Sequence, residues 1–126
     1  MQLIVGYVTV YVSDFQRSLA FYRDTLGLPF LFADEGFGYA RFQAGAIQLA
    51  MAAVPADAPN ARDLVGRHMG IALSVADIDQ AYDELLGRGV RFPLVPTVQP
   101  WGGKLAMLAD PDGNEFHLDV VQSGPD

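Results

Sequence analysis

The first twelve residues, MQLIVGYVTVYV, alternate between two faces as a half-buried strand does, with Val5, Tyr7, Thr9 and Tyr11 on one side. Asp14 follows, and after it Phe15, Leu19, Tyr22 and Leu26 recur at helical spacing up to Gly27. A short acceptor such as aspartate satisfies the free N–H groups that open a helix, and glycine suits the position just past its end. The same order returns later in the chain. LSVADIDQAYDELLGRG lays Val75 on Val12 and Asp77 on Asp14, with Ile78, Tyr82 and Leu85 as the stripe and Gly89 as the stop. Gln80, three residues after Asp77, completes a capping-box spacing.

Strand-like runs follow each helix. In the first half these are PFLFAD, GYARFQ and AIQLAM, with Gln43-Ala44-Gly45 as a hairpin turn. In the second they are VRFPLV, KLAMLA and EFHLDV, with Asp110-Pro111-Asp112-Gly113 as the turn. Each half therefore reads β-α-β-β-β, and the fold class is α+β: two βαβββ modules in tandem. The first spans about residues 3–51 and the second about 68–121, with the proline-bearing stretch 52–67 as the connection, all within a single domain over 1–126. Leu19, Phe21, Tyr22 and Leu26 are expected in the core between helix and sheet. Each sheet can bury one face under its helix, leaving the other to line a shared cup, either within one chain or by exchange with a partner. A homodimer is expected in either case, because closed two-fold dimers are the commonest oligomers.

Composition narrows the function classes. With 51% hydrophobic and 18% charged residues, the 126-residue chain reads as a globular domain. No cysteine is present, which removes thiolate metal sites and a cysteine nucleophile. The formal net charge of −7 argues against nucleic acid as a partner and permits a cationic ligand. The apolar N-terminal run has no basic lead and is too short to span a bilayer, so the expectation is a cytoplasmic protein with no membrane partner. Ser13, Ser18 and Ser74 lack a base and acid at recognisable spacing, and Gly36 and Gly38 do not open a helix as a nucleotide fingerprint does.

The strand-aspartate-helix opening VTVYVSDFQRSLAFYRDTLGL and the closing DPDGNEFHL, on paired βαβββ modules, resemble the glyoxalase/bleomycin-resistance/extradiol-dioxygenase superfamily, also called vicinal oxygen chelate. The resemblance runs from about residue 3 to 121. It implies the fold. For function it implies a range that includes isomerases, dioxygenases, epimerases, thiol transferases and non-catalytic antibiotic-binding proteins, so the site has to decide.

In metal-using members, ligands stand on the first and last strands of each module. The resemblance puts Tyr7, Gln48, Gly70 and His117 at those positions. Gly70 has no side chain, Gln48 offers a neutral amide oxygen, and Tyr7 would have to lose a proton whose ordinary pKa is about 10. Only His117 is a good donor, whereas a catalytic zinc or non-haem iron wants about three protein ligands. No metal is therefore expected there. The alternative is a divalent metal at a shifted site of His117, His68 and Glu115. Against it, His68 lies two residues before Gly70, which in a regular strand is about 7 Å along the chain. His68 is expected as an exposed strand-end residue.

Alternation sketches the rest of the wall. His68, Gly70, Ala72 and Ser74 share a face, as do Ala46, Gln48 and Ala50. If the DPDG turn pairs Ala106 with His117, then Lys104, Ala106 and Leu108 join them, with Lys104 near Asp119. Tyr39 and Arg41 are open to either face. Trp101, in the glycine-rich QPWGGK loop, is either an aromatic lid over a planar or cationic ligand or a plug of the core or of a dimer contact. The ligand-binding set is Tyr7, Thr9, Gln48, His68, Gly70, Trp101, Leu108, Glu115 and His117. His117 is also the candidate catalytic residue; its structural alternative is a hydrogen bond to Tyr7 or Gln48.

Three readings stand. The first is a metal-free, cofactor-free protein that binds a small organic molecule, aromatic or cationic, with drug resistance by sequestration as the natural use. The second is a lyase, isomerase or dioxygenase, metal-dependent or metal-free, working through His117. The third is an interaction module.

Overall fold

The computed structural model describes residues 1–121. Strand β1 (Tyr7–Val12) leads into helix α1 (Phe15–Ala20), which widens into a π-helical turn over Phe21–Thr25. Strands β2 (Phe30–Asp34), β3 (Tyr39–Ala44) and β4 (Ile47–Ala53) follow. After a one-turn helix α2 (Ala61–Leu64), the order repeats as β5 (His68–Val75), α3 (Ile78–Gly87), β6 (Arg91–Val98), β7 (Lys104–Ala109) and β8 (Glu115–Val120). The chain forms two compact units: residues 1–67 with Pro111–Asn114, and residues 68–110 with the segment from Glu115 onward. Each holds one four-stranded sheet, ordered β1-β4-β3-β2 in the first and β5-β8-β7-β6 in the second. The α+β fold of two βαβββ modules is thereby observed.

The helices begin and end where their residues require. The Asp14 carboxylate accepts from the Arg17 N–H and Asp77 from the Gln80 N–H, both at 3.0 Å. Each such cap is worth about 1 kcal/mol. Gly27 (φ 73°) and Gly89 (φ 88°) stop the helices in the left-handed region, which costs glycine little. The first helix departs from the simple 3.6-residue period. Leu26 N–H donates to the Phe21 carbonyl at 2.8 Å, five residues back, and this wider turn accompanies the burial of two consecutive aromatics, Phe21 and Tyr22.

The helices carry the crossovers that parallel pairing needs: β1 runs parallel to β4 and β5 parallel to β8, while every other pair is antiparallel. In the first unit Val10, Val12, Leu49, Met51, Ala40 and Phe42 form one buried sheet face against Leu19 and Tyr22, with the Tyr22 and Phe42 rings 6.1 Å apart. In the second unit Ile78 and Val90 are buried with Ala106, Leu108, Phe116 and Leu118, and Tyr82 meets Phe92 edge-on at 4.8 Å. Each large side chain so buried contributes roughly 1.5–3 kcal/mol.

Several boundaries differ from the sequence reading. Strand β3 runs on to Ala44, so Gln43 and Ala44 are strand rather than turn, and β6 runs on to Val98 rather than ending at Val95. Residues 1–6 lie outside the strand, so Val5 does not join the wall. Ala46 sits with Gly45 in a two-residue turn rather than on β4. Strand β4 continues to Ala53 instead of ending at Met51, because pairing with β1 runs on to Val12. Among the described residues no helix is long and apolar enough to cross a membrane.

Candidate functional site

Each sheet has a second face, turned away from its helix. On the first sheet, register puts Tyr7 opposite Gln48, Thr9 opposite Ala50, Arg41 opposite Ala50 and Tyr39 opposite Ala52. Because the turn at Gly45–Ala46 is short and regular, Ala44 pairs Ile47 and Gln43 pairs Gln48, and strict alternation fixes the face of Tyr39 and Arg41. A register shift within β2, between Phe30 and Phe32, then puts Phe32 opposite Arg41 while Phe30 pairs with Phe42.

Arg41 organises this face. Its Nε–H donates to the Tyr39 hydroxyl at 2.7 Å and its Nη1 to the Gln48 Oε1 at 2.8 Å. The guanidinium carbon lies 3.9 Å from the Tyr7 ring centroid, with the Tyr39 and Phe32 rings at 5.6 and 6.0 Å. Stacking and two hydrogen bonds immobilise a side chain that otherwise has many rotamers. The result is a wall of rings around one guanidinium, with Tyr7 50% and Phe32 48% exposed. Sequence reasoning missed Arg41 and Tyr39 as site residues; the two-residue turn was the signal that fixes their side.

On the second sheet a bulge rearranges the expected wall. His68 pairs Glu115, but Ala72 pairs His117, so the four residue steps on β5 match only two on β8. Gly70 takes up the difference with φ 67°. The straight-strand distance between His68 and the metal-ligand level therefore does not apply. His68 Nε2 lies 3.0 Å from His117 Nε2, one ring donating and the other accepting, and His68 Nδ1 is 3.7 Å from Glu115 Oε1. His68 is exposed, as expected of it, but it is also the partner of His117, while the Gln48 oxygen is taken by Arg41. Ser74 donates to Asp119 at 2.6 Å beside the pair.

Leu108 is a correction. The β7–β8 register pairs Met107, not Ala106, with His117, and Leu108 with Phe116. That one-residue difference turns Ala106 and Leu108 into the core, where Leu108 is fully buried, and brings Met107 to the face of His117. Lys104 goes with the core side as well, pairing with Asp79 of α3 at 2.7 Å instead of approaching Asp119. Trp101 is 73% exposed and so does not plug the core; its indole nitrogen lies 3.0 Å from where a Cβ on Gly103 would stand.

The donors do not fit a metal centre of three protein ligands. At the four family positions Gly70 offers nothing, and Tyr7 and Gln48 are both engaged by a guanidinium, whose charge opposes a divalent cation. At the shifted position the two imidazoles converge, but Glu115 approaches the outer nitrogen of His68 rather than the gap between the Nε2 atoms. Among the described residues no three His, Asp or Glu side chains are grouped to hold a metal ion.

The sequence matches the Glyoxalase/Bleomycin resistance protein/Dioxygenase superfamily over residues 4–118. Among solved structures, the chain is similar to a member of that superfamily from Sphaerobacter thermophilus DSM 20745, with a TM-score of 0.79 and 32% identity, covering 94% of this chain and 98% of that one. It is also similar to TnmS3, an antibiotic-binding protein from Streptomyces sp. CB03234, with TM-score 0.74, 28% identity and coverage of 97% and 99%. A bleomycin-binding protein solved with bleomycin gives TM-score 0.69 and 27% identity, over 93% of this chain and 98% of that one. A sequence match from Ile4 to Leu118, on the same repeated sheets, makes this chain a member of the Glyoxalase/Bleomycin resistance protein/Dioxygenase superfamily.

Proposed function

We propose that the protein binds a small organic compound through a planar aromatic group, without a metal ion and without converting it. The observation that carries this reading is the Arg41 guanidinium held over the Tyr7 ring, its carbon 3.9 Å from the ring centroid, and fixed by Tyr39 and Gln48, beside the exposed Phe32 ring. A wall of rings with few polar groups, already ordered, suits stacking of a flat ligand and asks little ordering entropy of the protein. Tyr7, Thr9 and Gln48 are binding residues in this proposal, with Arg41 and Tyr39 added. The similarity to TnmS3 and to the bleomycin-binding protein supports an antibiotic as the ligand, and sequestration in the cytoplasm by a homodimer belongs to the same proposal.

The test is calorimetric titration of the purified chain with bleomycin and a panel of planar aromatic compounds, in EDTA and with Zn²⁺, Mn²⁺ or Ni²⁺. We expect binding that is indifferent to EDTA, with the compound recovered unchanged. Tyr7→Ala should weaken it about tenfold, the loss of one stacking partner. A requirement for about one metal per chain, or a product whose formation stops in His117→Ala, would overturn the proposal.

The second reading is favoured by the His68–His117 pair with Glu115 beside it, an arrangement able to pass a proton. It predicts the product formation just named.

A further inference from the structure

We infer that the open face of the first sheet selects a planar ligand that is also anionic, an aromatic carboxylate, with Arg41 as its counter-ion. This rests on the reading that the face binds a small molecule, and it sets the sign of that molecule's charge. The chain carries 15 acidic and 8 basic residues, so carboxylates are plentiful. Arg17, Arg23, Arg88 and Lys104 each have one within 3.1 Å. Arg62, Arg67 and Arg91 stand exposed to water.

Arg41 differs from both groups. It is half-buried, and its partners among the described residues are all neutral: a phenol oxygen, an amide oxygen and aromatic rings. Asp34, the acid nearest in register on β2, accepts from the Phe37 N–H at 3.2 Å within its own turn. A guanidinium partly withdrawn from water, with no opposite charge beside it, leaves solvation uncompensated.

Two of its five N–H groups are used, on Nε and Nη1, and Nη2 makes no hydrogen bond among the described residues. A guanidinium fork matches the two oxygens of a carboxylate, and the charge makes those hydrogen bonds about twice as strong as neutral ones. A carboxylate conjugated to a ring is flat. With its oxygens on the fork, its ring would lie beside the Tyr7 and Phe32 rings, whose centroids are 3.9 and 6.0 Å from the guanidinium carbon. The overall acidity of the chain gives no such preference, and would by itself draw cations. The local cation reverses that sign at this face.

The experiment compares three probes on one ring system that differ in charge: 2-naphthoate, 2-naphthalenemethanol and 2-naphthylmethylammonium. Each is titrated calorimetrically into the full chain, into Arg41→Met and Arg41→Lys, and into Arg62→Met as a surface control. In the unsubstituted protein and in Arg62→Met, 2-naphthoate should bind about tenfold more tightly than the alcohol, a preference weakened by salt. Arg41→Met should weaken the carboxylate by a larger factor than the alcohol and so erase the preference, and Arg41→Lys should retain part of it, since the charge stays and the fork goes. If Arg41→Met fails to fold, the ranking of the three probes on the unsubstituted chain decides alone. The alcohol or the ammonium binding as tightly as the carboxylate overturns this inference and leaves the planar-ligand reading standing. No binding by any probe overturns both.

Discussion

Asn114→Ala is expected to lower the free energy of unfolding by about 3 kcal/mol, more than a surface substitution by several-fold. The side chain is fully buried in the first unit. Its Oδ1 accepts from the Gly66 N–H at 2.8 Å and the Arg67 N–H at 3.1 Å, and its Nδ2 donates to the Tyr11 carbonyl at 2.8 Å. One amide thus satisfies main-chain groups from β1 and from the residues that lead into β5. Alanine would leave two donors and an acceptor to find water, and each unsatisfied buried group costs about 1–3 kcal/mol. Asn114→Asp keeps the acceptor but sets a carboxylate against the Tyr11 carbonyl, so it should not rescue. Asn60, which makes no side-chain cap bond on α2, is the control, and Asn60→Ala should change stability by less than about 0.5 kcal/mol. Urea unfolding of the three variants checks this; a loss below 1 kcal/mol in Asn114→Ala would mean water replaces the amide freely.

Gly38→Ala is expected to cost about 2–4 kcal/mol, from two separable causes. The residue sits at φ 65°, where a side chain strains the backbone by about 1 kcal/mol or more. An added Cβ would also stand 2.8 Å from the Ala53 Cβ, closer than carbon atoms approach without displacement. The two strands cannot part easily, since Ala53 N–H donates to the Gly38 carbonyl at 2.7 Å. Ala53→Gly removes the collision, so the double variant should recover the steric part and retain the strain. Gly45→Ala isolates the strain: φ is 69° and nothing lies within 4 Å of the new Cβ. Thermal unfolding of the four proteins separates the two causes. Equal losses in Gly38→Ala and Gly45→Ala would refute the collision.

The sequence reveals those features whose causes are local. Asp14 and Asp77 cap their helices because the partners, Arg17 and Gln80, are three residues away. Gly27 and Gly89 stop them for equally local reasons, and the repeat of strand, cap and helix makes the two modules legible. What depends on pairing across the sheet is harder to see. A hairpin connection can set either of two registers, and the difference between Ala106 and Met107 opposite His117 decides whether Leu108 faces ligand or core. A bulge is a property of two strands, so nothing in HMGIA announces that Gly70 will carry His68 to His117. Arg41 is the converse case. Its neighbours in the chain are unremarkable, and only the regular Ala44–Ile47 pairing brings Gln48 and Tyr7 to it.

In each unit the first strand pairs in parallel with the last, and this has a kinetic consequence. Before β1 can meet β4, the chain must close a loop containing α1, β2 and β3, whereas β3 meets β4 across two residues. Loop closure of the longer kind costs more entropy before any contact repays it. The β3–β4 hairpin is therefore expected to form early and β1 to dock late, so that Val10→Ala mainly speeds unfolding while Phe42→Ala slows folding. Stopped-flow folding and unfolding rates of the two variants measure the order directly. On this order the wall is assembled from its middle outward: Arg41 meets Gln48 in the hairpin first, and Tyr7 closes over the guanidinium only when the last strand arrives.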